Sequence, residues 1–341
     1  MNFTYEQAGV NISHTDAVKK GMAAYIGADD PRVLNGFGPF ASLYDISFPE
    51  IAEPVLVLKA EEPGSKQLLA MEYGYVESIG HDMINHLVND IAVMGARPLA
   101  VLDTVVCGEA DSGVIKKLIK GISVACKLND CTLVGGETSV QPGVVGVGVY
   151  ILTSTVAGIT DKKKIIDGSA IRAGDIILAI ASNGLHTNGY SLLRLIMRNR
   201  PAIINETVDG VPFIEAAMRP HSAYYNTIKD LFGVASGFAH ITGGGIGGNL
   251  SRIIPDGLRA AVDLSKINTP PIFGLLKDYG NISEDEMLRA FNCGVGMIAV
   301  ADKTAADEII RRVSNDYACC EIGVIEAYDG ADKIKFLNSL N

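Results

Sequence analysis

Asp82, His86 and Asp90 recur four residues apart, and Asp90 opens the run Asp90-Ile91-Ala92-Val93-Met94-Gly95-Ala96-Arg97-Pro98. Residues four apart share one edge of a helix, while Ile84, Leu87, Val88 and Ile91 supply its apolar face. Gly95 can take the left-handed conformation that closes a helix and Pro98 cannot continue one, so the spacing predicts a helix that stops just after Asp90 and leaves that acid near its mouth. Carboxylates so placed can hold Mg2+. Asp103 falls on a predicted strand, and Gly135-Gly136-Glu137-Thr138 follows the strand ending at Val134, where ligand sites of α/β proteins form. Asp82, Asp90, Asp103 and Glu137 are thus four candidate metal-holding acids. Eight helical residues put Asp82 about 12 Å from Asp90, too far for one ion but within reach of a polyphosphate carrying two or more.

Three further segments could meet an anion. Glu61-Glu62-Pro63-Gly64-Ser65-Lys66 follows the first strong strand, and Gly64, Ser65 and Lys66 could wrap a phosphate with backbone N–H groups and one ammonium, although the spacing is not that of a Walker loop. The polar run Ser182 to Ser191 carries His186 and Asn188 to the start of a predicted helix. His240, Ile241 and Thr242 lead into Gly243, Gly244, Gly245, Gly247 and Gly248, and so many glycines allow the main chain to approach a ligand closely. Neither a serine or cysteine nucleophile elbow nor a dinucleotide glycine fingerprint occurs, which argues against covalent acyl transfer and hydride transfer.

These residues need a scaffold, and the chain of 341 residues is long enough for two domains. Hydrophobic residues make up 48%, charged residues 20%, and there are 37 glycines and no tryptophan, a composition suited to a glycine-rich α/β enzyme. Twenty-nine basic against thirty-nine acidic residues give a net charge of −10, so a nucleic-acid surface is not expected and phosphate must be held by metal ions or backbone donors. The start, Met1 to Glu6, lacks an export signal, and no apolar run has the length of a membrane span; the expected location is the cytoplasm. Six cysteines lack metal-binding spacing and read as buried, reduced thiols, with Cys319 and Cys320 alternating across a strand.

Predicted strands at 54–58, 99–106, 132–134 and 147–159 alternate with helices at 78–94 and 112–129. After the charged break at 161–164, a second half places strands at 176–181, 259–263 and 294–300, helices at 189–199, 221–232 and 303–314, and a glycine loop at 243–248. The boundary falls near residue 168, giving domains 1–167 and 168–341.

Together these segments resemble the aminoimidazole ribonucleotide synthetase, or phosphoribosylformylglycinamidine cyclo-ligase, family of purine biosynthesis. The similarity runs nearly end to end: Tyr5-Glu6-Gln7-Ala8-Gly9-Val10, Gly36-Phe37-Gly38, the Asp90 to Pro98 pattern, Leu133 to Thr138, Lys164 to Ser169, His186 to Leu192, His240 to Gly245 and Phe291 to Met297. The resemblance implies an α/β (α+β) two-domain synthetase, a homodimer whose N-terminal domains share a β-barrel and whose C-terminal domain is an α/β sandwich. It also implies the reaction: the γ-phosphate of ATP activates the amide oxygen of formylglycinamidine ribonucleotide, and the amidine nitrogen closes the imidazole ring with loss of phosphate. By position it places Gly64, Ser65, Lys66, Asp82, Asp103 and Glu137 at the nucleotide, and Asp82, Asp90 and Glu137 at Mg2+. His186 or His240 would handle protons, and Asn188, Thr242, Gly243, Gly244 and Asn292 would face substrate or phosphate. Such chemistry asks for positioning and charge neutralisation.

The chain departs from the family pattern in its nucleotide half. Ala60-Glu61-Glu62-Pro63-Gly64-Ser65-Lys66 stands where the family usually has Thr-Asp-Gly-Val-Gly-Thr-Lys, which puts additional negative charge beside the expected phosphate. Glu137-Thr138-Ser139-Val140-Gln141 lacks a second carboxylate, Ile151 to Ser154 lacks a usual aspartate, and Asn249 lacks a preceding glutamate. A paralogue that uses ATP on a related amide or formamidine, or a nucleotide-binding dimer without turnover, are the alternatives these departures raise.

Overall fold

The computed structural model describes residues 17–340 except Lys19, Ala28, Asp29 and Phe37. The Tyr5 to Val10 motif and Phe37 of the Gly36 to Gly38 motif lie outside the described residues.

Strict alternation of inward and outward side chains builds the first sheet. Its strands are β1 (Pro54–Glu61), β2 (Arg97–Cys107), β3 (Thr132–Val140) and β4 (Tyr150–Asp161), ordered β1-β4-β2-β3. β4 runs antiparallel to both neighbours, and β3 is parallel to β2. On β4, Tyr150, Leu152, Ser154 and Val156 are buried while Ile151, Thr153 and Thr155 face out, the period of two that a half-covered strand requires. The inner face is covered by helices α2 (Ser78–Ala92) and α3 (Ser112–Leu128), with α1 (Lys66–Tyr73) packed on α2. α2 and α3 cross at glycines: a Cβ on Gly80 would stand 2.3 Å from the Ile122 nitrogen, and one on Gly121 would stand 2.1 Å from the Glu77 oxygen. As the sequence predicts, α2 ends at Ala92 and Gly95 adopts φ +75°. The outer face of the sheet leaves Leu56, Leu58, Leu102 and Ile151 exposed.

The second half forms a six-stranded sheet, ordered β12-β9-β11-β5-β10-β8. Its strands are β5 (Ile176–Ala181), β8 (Gly237–His240), β9 (Leu258–Asp263), β10 (Val295–Ala301), β11 (Cys319–Ala327) and β12 (Ile334–Leu337), while β6 (Thr207–Val208) and β7 (Val211–Pro212) make a small separate hairpin. The pairings are antiparallel except that of β12 with β9. Every residue of β10 is buried, as continuous apolar runs of central strands are. Around this sheet lie α4 (Tyr190–Asn199), α5 (Phe213–Ala217), α6 (Tyr225–Ile228), α7 (Gly245–Leu250), α8 (Pro271–Gly280), α9 (Glu284–Ala290) and α10 (Lys303–Val313).

Three expectations need correction. The predicted helix over 221–232 shrinks to α6 and a 3-10 turn at Lys229–Leu231, because the carbonyl groups of His221, Ser222 and Ala223, which a helix from 221 would need as acceptors, are taken by the side chains of Asn85, Asn89 and Tyr317. The glycine run at 243–248 is not a loop throughout: Gly245 starts α7, where a Cβ would stand 1.8 Å from the Leu288 oxygen, so close packing explains that glycine. Among the cysteines, Cys107, Cys126, Cys131 and Cys293 are buried, but Cys320 is exposed where β11 turns it outward. One apolar core runs without interruption through both halves.

Candidate functional site

Helix α2 delivers side chains of opposite character to its two edges. Towards the sheet it buries Ile79, Met83, Ile84, Leu87 and Ile91. Its other edge, Asp82, Asn85, His86, Asn89 and Asp90, faces the second half. There Asp82 Oδ1 accepts from His221 N at 2.7 Å, Asn85 Nδ2 donates to the His221 oxygen at 2.6 Å, and Asn89 Nδ2 donates to the Ser222 oxygen at 2.9 Å. Lys66, at the start of α1, is fully enclosed; its Nζ donates to Asp82 Oδ1 at 2.8 Å, to the His186 oxygen at 2.9 Å and to the Arg219 oxygen at 2.7 Å. Three acceptors around one nitrogen match the three donors of an ammonium. Burial pushes Lys66 down and Asp82 up, each opposed by the other's charge.

Four histidines meet at this junction. His240, ending β8, donates through Nδ1 to the Asp90 carboxylate at Oδ1, 2.7 Å away, and its Nε2 lies 2.9 Å from His221 Nε2. Thr187 Oγ1 bridges His221 Nδ1 at 3.3 Å and His86 Nδ1 at 3.2 Å. His86 Nε2 then points back towards Asp90 Oδ2 at 3.7 Å and Glu61 Oε2 at 3.8 Å. Lys59, inward-facing on β1, closes the mouth with Nζ 3.0 Å from both Glu61 Oε2 and Asp90 Oδ2. His186, at φ +57°, stacks on His221 with ring centroids 4.0 Å apart, and its ring nitrogens have no hydrogen-bond partner among the described residues.

These contacts set the charges. Burial alone would raise Asp90, but the hydrogen bond from His240 and the charges of His240, His86 and Lys59 hold it well below the usual carboxylate range. Burial, reinforced by the charge of His240, pushes His86 down to about 4. His186 and His221 are driven well below the ordinary imidazole value, chiefly by burial. Those three rings are neutral at pH 7, available as proton acceptors or as ligands.

The junction does not gather all the residues the sequence singles out. Asp82, Lys66, Asp90, His186 and His240 meet there. Gly64 and Ser65 lie against the same region, with Ser65 Oγ 3.2 Å from Ser191 Oγ and a Gly64 Cβ position 3.6 Å from the Thr187 oxygen. Gly243 and Gly244 are exposed nearby, with a Cβ on Gly243 falling 3.4 Å from Asn188 Oδ1. Thr242 Oγ1 donates to Asn249 Oδ1 at 3.2 Å. Asn292 is an internal brace: it is 1% exposed, its Oδ1 accepts from Ser182 Oγ and Gly294 N, and its Nδ2 donates to the Gly184 oxygen. Asp103 and Glu137 sit apart on β2 and β3. Burial and the charge of Glu137 raise Asp103 to about 7, and its buried Oδ2 accepts no hydrogen bond from the described residues.

The halves match two sequence families in the same order: AIR synthase related protein, N-terminal domain, over residues 53–160, and AIR synthase related protein, C-terminal domain, over residues 172–333. The phosphoribosylformylglycinamidine cyclo-ligase of Methylobacillus flagellatus is 38% identical over 331 residues, spanning 96% of this chain and 95% of the relative. That of Bacillus cereus is 37% identical, spanning 90% of each. The chain belongs to the phosphoribosylformylglycinamidine cyclo-ligase family. Among solved structures, thiamine-monophosphate kinase from Stenotrophomonas maltophilia superposes with a TM-score of 0.69 at 18% identity, covering 96% of both chains. Hydrogenase maturation protein HypE in complex with ATP gives 0.66 at 17%, covering 96% of this chain and 92% of that one. At such identities these two share the cyclo-ligase fold and nothing more specific.

Within this cyclo-ligase frame, sequence reasoning missed His221, Thr187 and Lys59, and saw His86 only as part of a helix edge. The signal for His86 was present, since it lies midway between Asp82 and Asp90. His221 had none, because its neighbours read as the start of a helix. Lys59 could have been found from the alternation of β1, which turns residues 55, 57, 59 and 61 to the inner side. Its ammonium also accounts for Glu61, whose extra length is answered by an ion pair.

Proposed function

We propose that the chain is an ATP-dependent cyclo-ligase that converts formylglycinamidine ribonucleotide to aminoimidazole ribonucleotide, releasing ADP and phosphate. The observation that supports this reading most is the junction itself, where Asp90 and His240 from different halves are joined at 2.7 Å beside the two loops suited to an anionic substrate. In the reaction the formyl amide oxygen takes the γ-phosphoryl group of ATP. The amidine nitrogen then bonds to the activated carbon, the C–O bond to phosphate breaks, and the nitrogen gives up a proton.

Of His186 and His240, it is His240 that has a carboxylate against its ring. Asp90 orients its ring and would stabilise the imidazolium. His186 is wholly enclosed, and its environment favours the neutral ring. Asn188, Thr242, Gly243 and Gly244 would meet the substrate phosphate, and Gly64 and Ser65 the nucleotide.

Mg2+ would neutralise phosphate charge when bound with ATP. Of the acids the resemblance assigns to the nucleotide and its metal, Glu137, exposed on the outer face of the first sheet, would meet it, whereas Asp82 Oδ1 is already held by Lys66 and His221 N and Asp103 turns to the helix-covered face, opposite to Glu137. A homodimer is part of the same reading. Leu56, Leu58, Leu102 and Ile151 leave an apolar outer face on the first sheet, of the kind that a second sheet covers. No helix among the described residues is long and apolar enough to cross a membrane; a cytoplasmic setting remains part of the proposal.

The test is phosphate release from ATP and Mg2+ in the presence of formylglycinamidine ribonucleotide, with the aminoimidazole product quantified in parallel. Equal amounts of both support the reading. ATP binding without either product would leave the non-catalytic alternative.

A further inference from the structure

We infer that His86, Asp90 and His240, completed by Glu61, form a binding site for a divalent transition-metal ion of the Zn2+ type. One donor atom from each of His86, Asp90 and His240 lies within 4.8 Å of the others, and His86 and His240 are buried. Glu61 Oε2 stands 3.8 Å from His86 Nε2, and Asp90 Oδ2 stands 3.7 Å from it. Zn–N and Zn–O bonds of about 2.0–2.1 Å in a tetrahedron set neighbouring ligands about 3.3 Å apart. The separations around His86 are slightly wider than that and the His240–Asp90 distance of 2.7 Å is slightly tighter, so small side-chain rotations bring His86, Asp90 and His240 onto one ion. Glu61, 3.8 Å from His86 but outside that close set, joins as the fourth ligand by turning its carboxylate away from Lys59.

The groups behind the two rings fit the ligand role. Metal-bound histidines keep their orientation by donating the other ring N–H to a fixed partner. Here Thr187 Oγ1 can accept from His86 Nδ1 and from His221 Nδ1 together, since a hydroxyl oxygen has two lone pairs. His221 Nε2 is then free to accept from His240 Nε2. In that arrangement both His86 Nε2 and His240 Nδ1 turn lone pairs towards Asp90. In the other arrangement His240 Nδ1 donates to Asp90, which is the ion-free state.

Lys59 marks the position from the opposite side. Its ammonium bridges Asp90 Oδ2 and Glu61 Oε2 at 3.0 Å each, supplying the positive charge that the carboxylates require. Its side chain is 36% exposed, so it can swing into water when an ion arrives. Two imidazoles and two carboxylates select Zn2+, Co2+ or Ni2+ over Mg2+, which prefers an all-oxygen shell. An ion held here would withdraw Asp90 and His240 from proton handling, so Zn2+ would inhibit turnover. That consequence alone rests on the cyclo-ligase reading; ion binding does not.

The full chain, freed of metal with a chelator and dialysed, would be titrated with Co2+ and followed by its visible d–d absorption. We expect one ion per chain, displaced by Zn2+ and not by excess Mg2+. His86→Gln should weaken Co2+ binding by about 100-fold or more, beyond what loss of an outer-shell partner does. Lys59→Met should strengthen it, a change in the opposite direction that misfolding cannot imitate. Absence of a Co2+ spectrum, or binding indifferent to both substitutions, would overturn the assignment. Co2+ binding by a chain that forms no aminoimidazole product would overturn the cyclo-ligase reading and leave the metal site standing.

Discussion

Lys66 and Asp82 form an ion pair of 2.8 Å in which neither side chain reaches solvent. The pair is a bolt between the halves, because Lys66 also holds two carbonyls of the second half and Asp82 also holds His221 N. Lys66→Ala leaves a buried carboxylate without its cation, and such losses cost about 3–5 kcal/mol. Urea denaturation should therefore show a large drop in midpoint for Lys66→Ala. The double variant Lys66→Met/Asp82→Leu should recover much of it. A Lys66→Ala protein of unchanged midpoint that had lost only ATP-dependent turnover would assign the ammonium to the nucleotide instead.

Asp103 gives a pH dependence of definite sign. Its carboxyl rises from 3.8 to about 7 on folding, through burial and the charge of Glu137. An acid with a raised folded value binds its proton more tightly in the folded state. The contribution of Asp103 is therefore fully present below 3.8 and declines as pH rises through the window up to about 7. Asp103→Asn removes that decline. Its melting temperature should exceed the parent's by several degrees at pH 8 and match it near pH 4. Equal shifts at both pH values would show that the carboxyl charge is not the cause.

His240→Gln should keep the fold, since Lys59 still pairs with Asp90, while lowering aminoimidazole formation by about 10²–10⁴-fold, the range for a lost general base. Circular dichroism and steady-state rates at saturating substrate would separate the two effects. A rate within a few-fold of the parent would transfer proton handling elsewhere in the cluster.

The outer face of the first sheet predicts oligomeric state. Leu58 is 63% exposed on the outer face of the edge strand β1, so Leu58→Glu places a charge where a second subunit would have to desolvate it. Light scattering should report a dimer for the parent and a monomer for the variant. A monomeric parent would remove the dimer from the proposal.

How far the sequence carried this description depends on whether a residue's partner was local. The strands of the first sheet, α2 and its stop at Gly95 follow from periodicity and from one left-handed glycine, except that β3 runs past its expected end at Val134 to Val140, so that Glu137 lies within the strand and not after it. The extended segment before Tyr225 could not be read, because the bonds that hold it come from Asp82 and Asn89, more than a hundred residues away. The same holds for the site. His240 and Asp90 each stood out beside a glycine or proline signal. The ring through His221, Thr187 and His86 exists only once the halves meet. Asn292, placed at the substrate by resemblance, is tied to its own neighbours by three hydrogen bonds, a fact that residue type and spacing do not carry.

Because α2 buries one edge in the first core and ties the other to residues 221–224, it belongs to both halves at once. Neither half can shed the other without exposing the polar edge of a helix that it needs for its own core. Unfolding should consequently proceed as one cooperative unit, so calorimetry should record a single endotherm despite two sheets. Proteolytic cleavage between them should release no stable fragment. The junction that brings Asp90 to His240 is thereby as rigid as the rest of the interior, a site built into the folding unit instead of hinged across it.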